Sequence, residues 1–350
     1  MKIAYSVNGE GFGHAARLLT LAPGLRRWHD LVLFLPDTVR ARIRVELPDL
    51  ACQTLPAFEL VKKVDRIMYF RTILKNLVLT FRSPWIVFKL ARLLKKGRFD
   101  GVVSDFEPFL AWAGKLAGLK VVQLNHPGIV RRFTQLSTDS LCASLVATLM
   151  EGPWDRRILC SFFQGDIGPL LRPELLAAKP SRGEYLLVNL KTGYRDRVVT
   201  VLNRLSQTMP GLRWEIFPRP DGDFATALAS CRAVISAAGH QMLSEALVLG
   251  KPILALPQGG QFEQELNARR LVASGRGMAG SLGELSGLIP QFMESLPALE
   301  RACNEPALPG FCFRDSTELA LRRIVESFAG HRQSAIPGNV QPFVQLRKRA

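Results

Sequence analysis

The sequence predicts an α/β protein made of two successive parallel-sheet halves, and three observations carry that prediction. Short apolar strands alternate with helical segments in both halves of the chain, the pattern of parallel βαβ units. A glycine-rich loop follows the first strand, and a second glycine turn precedes a helix far downstream; such turns leave helix N–H groups free to meet an anion. Between the two stretches lies a segment of low periodicity holding three prolines. The 350 residues suit two ordinary domains, and an apolar share of 47% lets each bury its own core.

Taken in order, Ile3 to Val7 reads as a strand that runs through a glycine loop into a helix from about His14 to Trp28. Leu31 to Leu35 is the next strand, with a helix near Asp37 to Glu46. Gly101 to Ser104 and Lys120 to Leu124 are two more strands, separated by a helix from about Pro108 to Leu116. Ile67 to Gly97 breaks this rhythm. Ile67, Phe70, Leu74, Leu77, Val78 and Phe81 recur at helical spacing. Ser83-Pro84 then has the look of an N-cap with proline at the first helical position, so a basic pair of helices is expected here. After the linker the rhythm restarts with strands at Tyr185 to Leu190, Arg213 to Phe217, Ala233 to Ser236 and Ile253 to Leu256. Helices follow each of them, ending near Gln207, Cys231, Leu249 and Ser274. The expected division is 1–167 with the basic insert at 62–98, a linker at 168–183, a second half at 184–330 and a poorly ordered basic tail at 331–350.

Bulk chemistry narrows the class of function. No run of about eighteen apolar residues is free of charge, so no transmembrane helix is expected. The first strand begins at Lys2 and enters a glycine loop, unlike a signal peptide. The six cysteines form no CxxC pair and lie in or near apolar runs, which reads as reduced, mostly buried thiols in a cytoplasmic protein. Net charge is +16, a statement about partners rather than fold. Eleven Lys or Arg and one acid, Asp65, fall between Lys62 and Arg98. That segment lacks an RNA-binding signature, and its aromatics sit at apolar helical positions, so nucleic acid is not the expected partner. Apolar residues flanked by cations fit a helix lying in an anionic lipid headgroup layer. The plainer alternative is that the apolar face packs on the domain and the cations are solvated.

The loop after the first strand reads Asn8-Gly9-Glu10-Gly11-Phe12-Gly13-His14. Its glycines let backbone approach a ligand closely. The spacing is GxGxGH rather than the dinucleotide fingerprint, and no acid stands where a ribose-binding one is expected, so a nicotinamide cofactor is discounted. His14 falls at a helix start, where the positive end of the dipole disfavours imidazolium and suits a general base; its alternative is a capping or packing role. Ser104-Asp105-Phe106-Glu107-Pro108 and Asn125-His126-Pro127-Gly128 lie beyond two strand ends. Both loops are expected to open on a cleft, with Asp105 orienting or activating an acceptor hydroxyl together with His14, or else capping a helix.

The downstream segment from Ile235 to Ala268 is more specific. Ser236 to Gly239 places a tight turn before a helix, an anion site. Glu245 follows on that helix amid apolar residues, and a carboxylate there can accept hydrogen bonds from two ribose hydroxyls. Gln258, Gln261, Glu263 and Gln264 gather on the next strand-to-helix loop, where amides and carboxylates suit hexose hydroxyls. Asp221-Gly222-Asp223 spells a DxD metal motif, but Asp223 precedes a helix and is read as its N-cap, so no metal is expected.

The order of that stretch, with its SEA run, Gly250-Lys251-Pro252 turn and glutamine loop ending at Asn267-Ala268, resembles the donor-binding motif of family 28 glycosyltransferases. That family includes the N-acetylglucosamine transferase that completes peptidoglycan lipid II and the galactosyl transferases of plastid galactolipids. The resemblance covers roughly residues 185–277 well and the first glycine loop less well. It implies a GT-B fold, with two Rossmann-like domains facing a cleft, the acceptor on the N-terminal side and the nucleotide sugar on the C-terminal side. By resemblance, Glu245 would hold the ribose, Glu263 and Gln264 the donor sugar, Thr192 and Gly193 the diphosphate, and Phe224 would lie beside the base. Gly11, Gly13, Gly239 and His240 complete the donor-side set, and Glu107 and His126 the acceptor side, with His14 and Asp105 catalytic. Lys191 departs from the family's small-residue loop and would reach phosphate directly. Glu263 stands where the peptidoglycan enzyme has glutamine, which leaves the sugar open.

The expected reaction is inverting transfer of a hexose or N-acetylhexosamine from a nucleotide donor, UDP by resemblance, to a lipid-linked or small-molecule acceptor. No cofactor or metal is required, since helix N-termini and backbone amides can stabilise the leaving diphosphate. Two alternatives stay open. A sugar-nucleotide hydrolase resembling the pseudaminic acid pathway enzyme, or an epimerase, would use the same fold, with His14 serving a water. A basic module binding membrane or nucleic acid would use no chemistry at all.

Overall fold

The computed structural model describes residues 1–63, 66–134, 138–219 and 222–329. The basic tail, Val64, Asp65 and Asp221 lie outside these residues.

The N-terminal half opens with β1 (Lys2–Val7), α1 (Phe12–Leu25), β2 (Asp30–Leu35), α2 (Asp37–Glu46) and β3 (Cys52–Thr54). A short antiparallel hairpin follows, β4 (Lys62–Lys63) with β5 (Arg66–Ile67), then α3 (Tyr69–Lys96). The half continues through β6 (Gly101–Asp105), α4 (Pro108–Leu116), β7 (Lys120–Asn125), a 3-10 turn (Pro127–Phe133), α5 (Thr138–Glu151) and β8 (Arg156–Leu159). Its six-stranded parallel sheet has the order β3-β2-β1-β6-β7-β8. Strands buried on both faces need not alternate in polarity, and Ile3, Ala4, Tyr5 and Val7 are all fully buried on β1.

After α6 (Pro173–Ala177) the second half runs β9 (Tyr185–Asn189), α7 (Thr192–Leu205), β10 (Arg213–Phe217), α8 (Phe224–Ser230), β11 (Ala233–Ala237) and α9 (His240–Val248). It continues with β12 (Ile253–Leu256), α10 (Phe262–Ala273), β13 (Gly277–Ala279), α11 (Leu285–Asn304) and α12 (Thr317–Ala329). Its parallel sheet has the order β10-β9-β11-β12-β13. In each sheet the strand order reverses at one point, between β1 and β6 and between β9 and β11. Ligands of open parallel sheets bind beyond the strand ends at such points. The glycine loop and Asp105 leave one of them; the Lys191-Thr192-Gly193 loop and the Ser236–Gly239 turn leave the other. Two parallel-sheet α/β domains of this form make the GT-B architecture, as the sequence led us to expect.

Three expectations differ from what is seen. The basic insert is one continuous helix of 28 residues rather than a pair. Ser83 does not cap a new helix: its hydroxyl donates back to the Leu79 carbonyl at 2.8 Å. Pro84 removes only one backbone donor, on an exposed stretch where water can serve the orphaned carbonyl. The segment read as a linker is partly core, with Leu170, Leu171 and Leu175 at 2% exposure or less. The last helix, α12, leaves the second half and packs on the first: Ala320, Ile324 and Phe328 join the cluster of Ile3, Leu18, Val103 and Val122. Of the cysteines, which are all free, Cys160, Cys231 and Cys303 are buried and Cys142 is exposed. No helix among the described residues is long and apolar enough to cross a membrane.

Gly101 shows how tightly α12 is seated, because a methyl group there would collide with the Phe328 ring. Phe328→Ala is therefore expected to destabilise the protein by about 3–5 kcal/mol, the usual loss for a buried phenylalanine. Denaturant unfolding checks this; a change under about 1 kcal/mol would mean that α12 contributes little to the first core.

Candidate active site at the facing sheet edges

Asp105 ends β6 with no solvent exposure. A buried carboxylate needs charge-assisted partners, and α1 supplies two of them one helical turn apart. His14 Nδ1 lies 2.7 Å from Asp105 Oδ1. Arg17 donates from Nε to Oδ2 at 2.7 Å and from Nη2 to Oδ1 at 2.8 Å. Burial works against the charged form of Asp105, but Arg17 and then His14 outweigh it and hold the carboxyl below the ordinary range. The His14 ring stacks parallel to Phe106 at 6.0 Å between centroids. The chain reaches this geometry through Gly11, which caps α1 at φ +76°, a conformation natural to glycine. Asn8 braces the loop: its side-chain amide donates to the Phe106 carbonyl, and its own backbone N–H to that of Asp105.

The second sheet meets this edge directly. A Cβ on Gly13 would lie 3.4 Å from the Cβ of Gln241, so the starts of α1 and α9 touch. Gly239 caps α9 without a side-chain cap hydrogen bond, and a Cβ built on it would meet no atom within 4 Å. Thr192 and Gly193 are exposed at the start of α7, whose N-cap is Lys191. Asp223 caps α8, accepting from the Thr226 N–H at 3.1 Å. Gln264 is held inside its loop, accepting from the Gln258 N–H at 3.0 Å and donating to Gln261 at 2.7 Å. Glu263, half-buried beside it, places Oε1 3.8 Å from His126 Nε2.

Glu245 is buried, as its apolar surroundings suggest, but it is already engaged. Arg172 donates to both of its oxygens at 2.9 Å, and Gln241 donates to Oε1 at 2.9 Å. The Arg172 guanidinium also lies over the rings of Phe224, at 5.1 Å, and Phe12, at 5.8 Å. Any ribose that reaches Glu245 must share it with Arg172 or displace it.

Two residues assigned to the acceptor side do not open on the cleft. Glu107 is the N-cap of α4, accepting from the Phe109 N–H at 2.7 Å and the Leu110 N–H at 2.8 Å. Its carboxyl is turned inward, and burial lifts it to about 7. The four N–H groups that open a helix require such a partner, and here Glu107 rather than Asp105 provides it. His126 is clasped between the domains. One ring nitrogen faces the Cys160 carbonyl at 3.1 Å and the other the Asn267 Oδ1 at 2.9 Å. Its ring stacks on His240 at 3.5 Å. Burial pushes His126 down to about 3 and His240 well below its ordinary value, so both rings are neutral. His240, expected beside the donor, thus spends its face on His126 and its Nε2 on Ser244 and the Phe162 N–H.

Sequence reasoning missed Arg17, Arg172 and Gln241. Arg17 stands three residues after His14, on the same helical face, and that spacing is a usable signal. Arg172 sits in an apparent linker, and nothing local marks it.

The His14–Asp105 pair stands at one strand-order reversal, and the Gly239-capped start of α9 and the Lys191-capped start of α7 stand at the other, in two parallel-sheet domains of the GT-B form. The chain belongs to glycosyl transferase family 1, whose model matches residues 1–297. No curated protein matches the sequence. Among solved structures it is similar to CalG4, the calicheamicin glycosyltransferase, with TM-score 0.61, 18% identity, and 95% of this chain and 99% of that one covered. It is similar to MurG of Acinetobacter baumannii, with TM-score 0.60, 15% identity, and 93% and 99% covered. The same TM-score, identity and coverage relate it to LpCGTa in complex with UDP. At these identities the likeness is one of fold.

The Arg172–Glu245 pair gives a test of this description. Removing one partner of a buried pair typically costs about 3–5 kcal/mol. Arg172→Ala is expected to fall in that range and the double variant Arg172→Met, Glu245→Leu to recover most of it, read by denaturant unfolding. Equal losses in both variants would show that the pair is not the stabilising unit.

Proposed function

We propose that the protein transfers a hexose or N-acetylhexosamine from a UDP-sugar to an acceptor hydroxyl, inverting the anomeric carbon without metal or cofactor. The observation that carries the reading is the His14–Asp105 pair, buried at the edge where α9 and α7 present uncapped N-termini. In this reading His14 Nδ1 is held by Asp105 and Nε2 takes the acceptor proton as the oxygen attacks. Asp105 holds the imidazole and balances the charge it gains. The bond from the anomeric carbon to the diphosphate breaks on the opposite side, and the N–H groups starting α7 and α9 receive the leaving oxygens. Thr192, Gly193 and Lys191 serve the diphosphate, Phe224 the base, and Glu263 with Gln264 the sugar. Glu245 meets the ribose alongside Arg172. The family 28 likeness of residues 235–268 supports this assignment, and the UDP bound to LpCGTa supports the nucleotide.

The reading extends to a lipid-linked acceptor at the cytoplasmic face of an anionic membrane. What supports it is α3, where Phe70, Ile73, Leu74, Leu77, Val78, Phe81, Trp85 and Phe88 are all exposed. From Met68 to Arg98 the chain has eight cations and no acid. Trp112 and Leu116 of α4 and Leu141, Leu145 and Leu149 of α5 are also exposed. Scattered surface apolar residues need no explanation, but a concentration of them marks an interaction surface. Cations near anionic lipid add on the order of 1 kcal/mol each.

Two experiments test the two parts. With a UDP-sugar and lipid extract, His14→Ala is expected to lower turnover by about 10²–10⁴ while UDP affinity by calorimetry stays the same. Near-normal turnover in the variant would move the base elsewhere, and sugar release without any acceptor would make the enzyme a hydrolase. In vesicle flotation, binding is expected to rise with anionic lipid, fall with salt and weaken when Arg71, Lys75, Arg82 and Lys89 become Ser. Equal recovery on neutral and anionic vesicles, or none on either, would leave a soluble acceptor.

A further inference from the structure

The site contains an ambiguity that only Arg17 resolves. His14 Nδ1 lies 2.7 Å from a carboxylate oxygen of Asp105 and 2.7 Å from Nη2 of Arg17. The first neighbour only accepts when ionised and the second only donates, and one ring nitrogen cannot serve both. If Nδ1 carries the proton, it donates to Asp105 and leaves a lone pair on Nε2. If Nδ1 is bare, it accepts from Arg17 and the proton sits on Nε2, which then has no lone pair with which to take the acceptor proton. The two tautomers differ entirely in their use as a base.

The charge on Asp105 selects between them. Two lone pairs facing each other at 2.7 Å repel, so an ionised Asp105 requires the proton on Nδ1. A neutral Asp105 could donate its own proton to Nδ1 and stabilise the unusable form. Burial at zero exposure favours the neutral acid. Arg17, with 3% of its side chain exposed, opposes this through both arms of its guanidinium.

We infer that Arg17 is a positioning residue that fixes His14 in the Nδ1–H tautomer by supplying the counter-charge that Asp105 needs. The inference rests on His14 as the base. With Arg17 present, the three side chains sum to zero charge while His14 is neutral. Without it, imidazolium is the one counter-charge left beside the buried carboxylate among the described residues, and the proton is expected to stay on His14. Other groups facing the cluster do not confuse this change. From β1, burial and then Asp105 raise the Tyr5 hydroxyl well above its ordinary value. Burial holds Cys160, just beyond β8, up at about 12. It keeps His126, after β7, near 3 and His240, on α9, far down as well. None of these changes charge near neutrality.

The test uses the full chain with Arg17→Met, which keeps bulk without charge, and Arg17→Lys, which returns the charge without the fork. Long-range ¹H–¹⁵N correlation on ¹⁵N-histidine protein reads the tautomer of His14, one of five histidines. His14→Gln assigns its signal. The native protein is expected to show a protonated Nδ1 and a bare Nε2 at neutral pH. Arg17→Met should show both nitrogens protonated, with turnover about 10²–10⁴ lower at pH 7 and recovering as pH rises. Its UDP affinity should stay within about twofold, and Arg17→Lys should regain part of the turnover. A native signal from Nε2–H would overturn the inference even if no variant folds. So would Arg17→Met with native turnover and tautomer, or with turnover reduced equally at every pH. Failure of the base assignment is a separate outcome, seen as native turnover in His14→Ala.

Discussion

A carboxylate with no access to water sits at the end of β6, and the site is arranged around the need to compensate it. Asp105 cannot be solvated, so its stability depends on Arg17 and His14 from the first helix. This requirement ties the glycine loop to its function. Gly11 turns the backbone so that α1 begins early enough for positions 14 and 17 to face the strand end one above the other. The Asn8 side chain then fastens the loop to Phe106. The same contacts that satisfy the buried charge hold an imidazole at the cleft edge.

The two sheets are joined by polar contacts as much as by apolar ones. His126 reaches from the first half to Asn267 and stacks on His240, and Arg172 in the connecting segment grips Glu245 on α9. Asn267 in turn donates to the Ala238 carbonyl, so the turn before α9 is held from both sides. The return of α12 to the first core adds a second covalent crossing between the halves. These contacts converge next to the glycine-capped start of α9, where a diphosphate would be received. In the proposed function, therefore, donor binding and the relation of the two domains would share residues, Arg172 and Glu245 above all.

The exposed helix α3 is the counterpoint. Its C-terminal part packs normally, with Ala91 and Leu94 buried. Its N-terminal two-thirds, roughly 30 Å at the usual rise per residue, has no fully buried side chain among the described ones and carries aromatic and aliphatic residues in water. Cations rest on that surface: Lys89 lies over the Trp85 ring at 5.2 Å and Arg92 over Phe88 at 5.8 Å. Folding of the domain does not explain such a face, and this is why the proposed function includes a partner there.

Local pattern alone determined the alternation of strands and helices and the two glycine turns, each written in short-range periodicity or in residues that only a turn requires. It put His14 at a helix start and Asp105 at a strand end, while their direct contact across 91 residues came from the packing of α1 on β6. Tertiary structure decided the rest. Ser83-Pro84 has the local chemistry of a helix start, yet the helix runs through because the one lost hydrogen bond falls on an exposed stretch. Glu107 and His126 follow strand ends, as cleft residues do, but a helix start claimed one carboxylate and the opposite domain claimed the other ring. The partner of Glu245 stands 73 residues away in a segment without periodicity. Burial of charge is the common reason. A sequence shows which side chains carry charge, but only the packed chain shows which of them water can no longer reach and what must stand beside them instead.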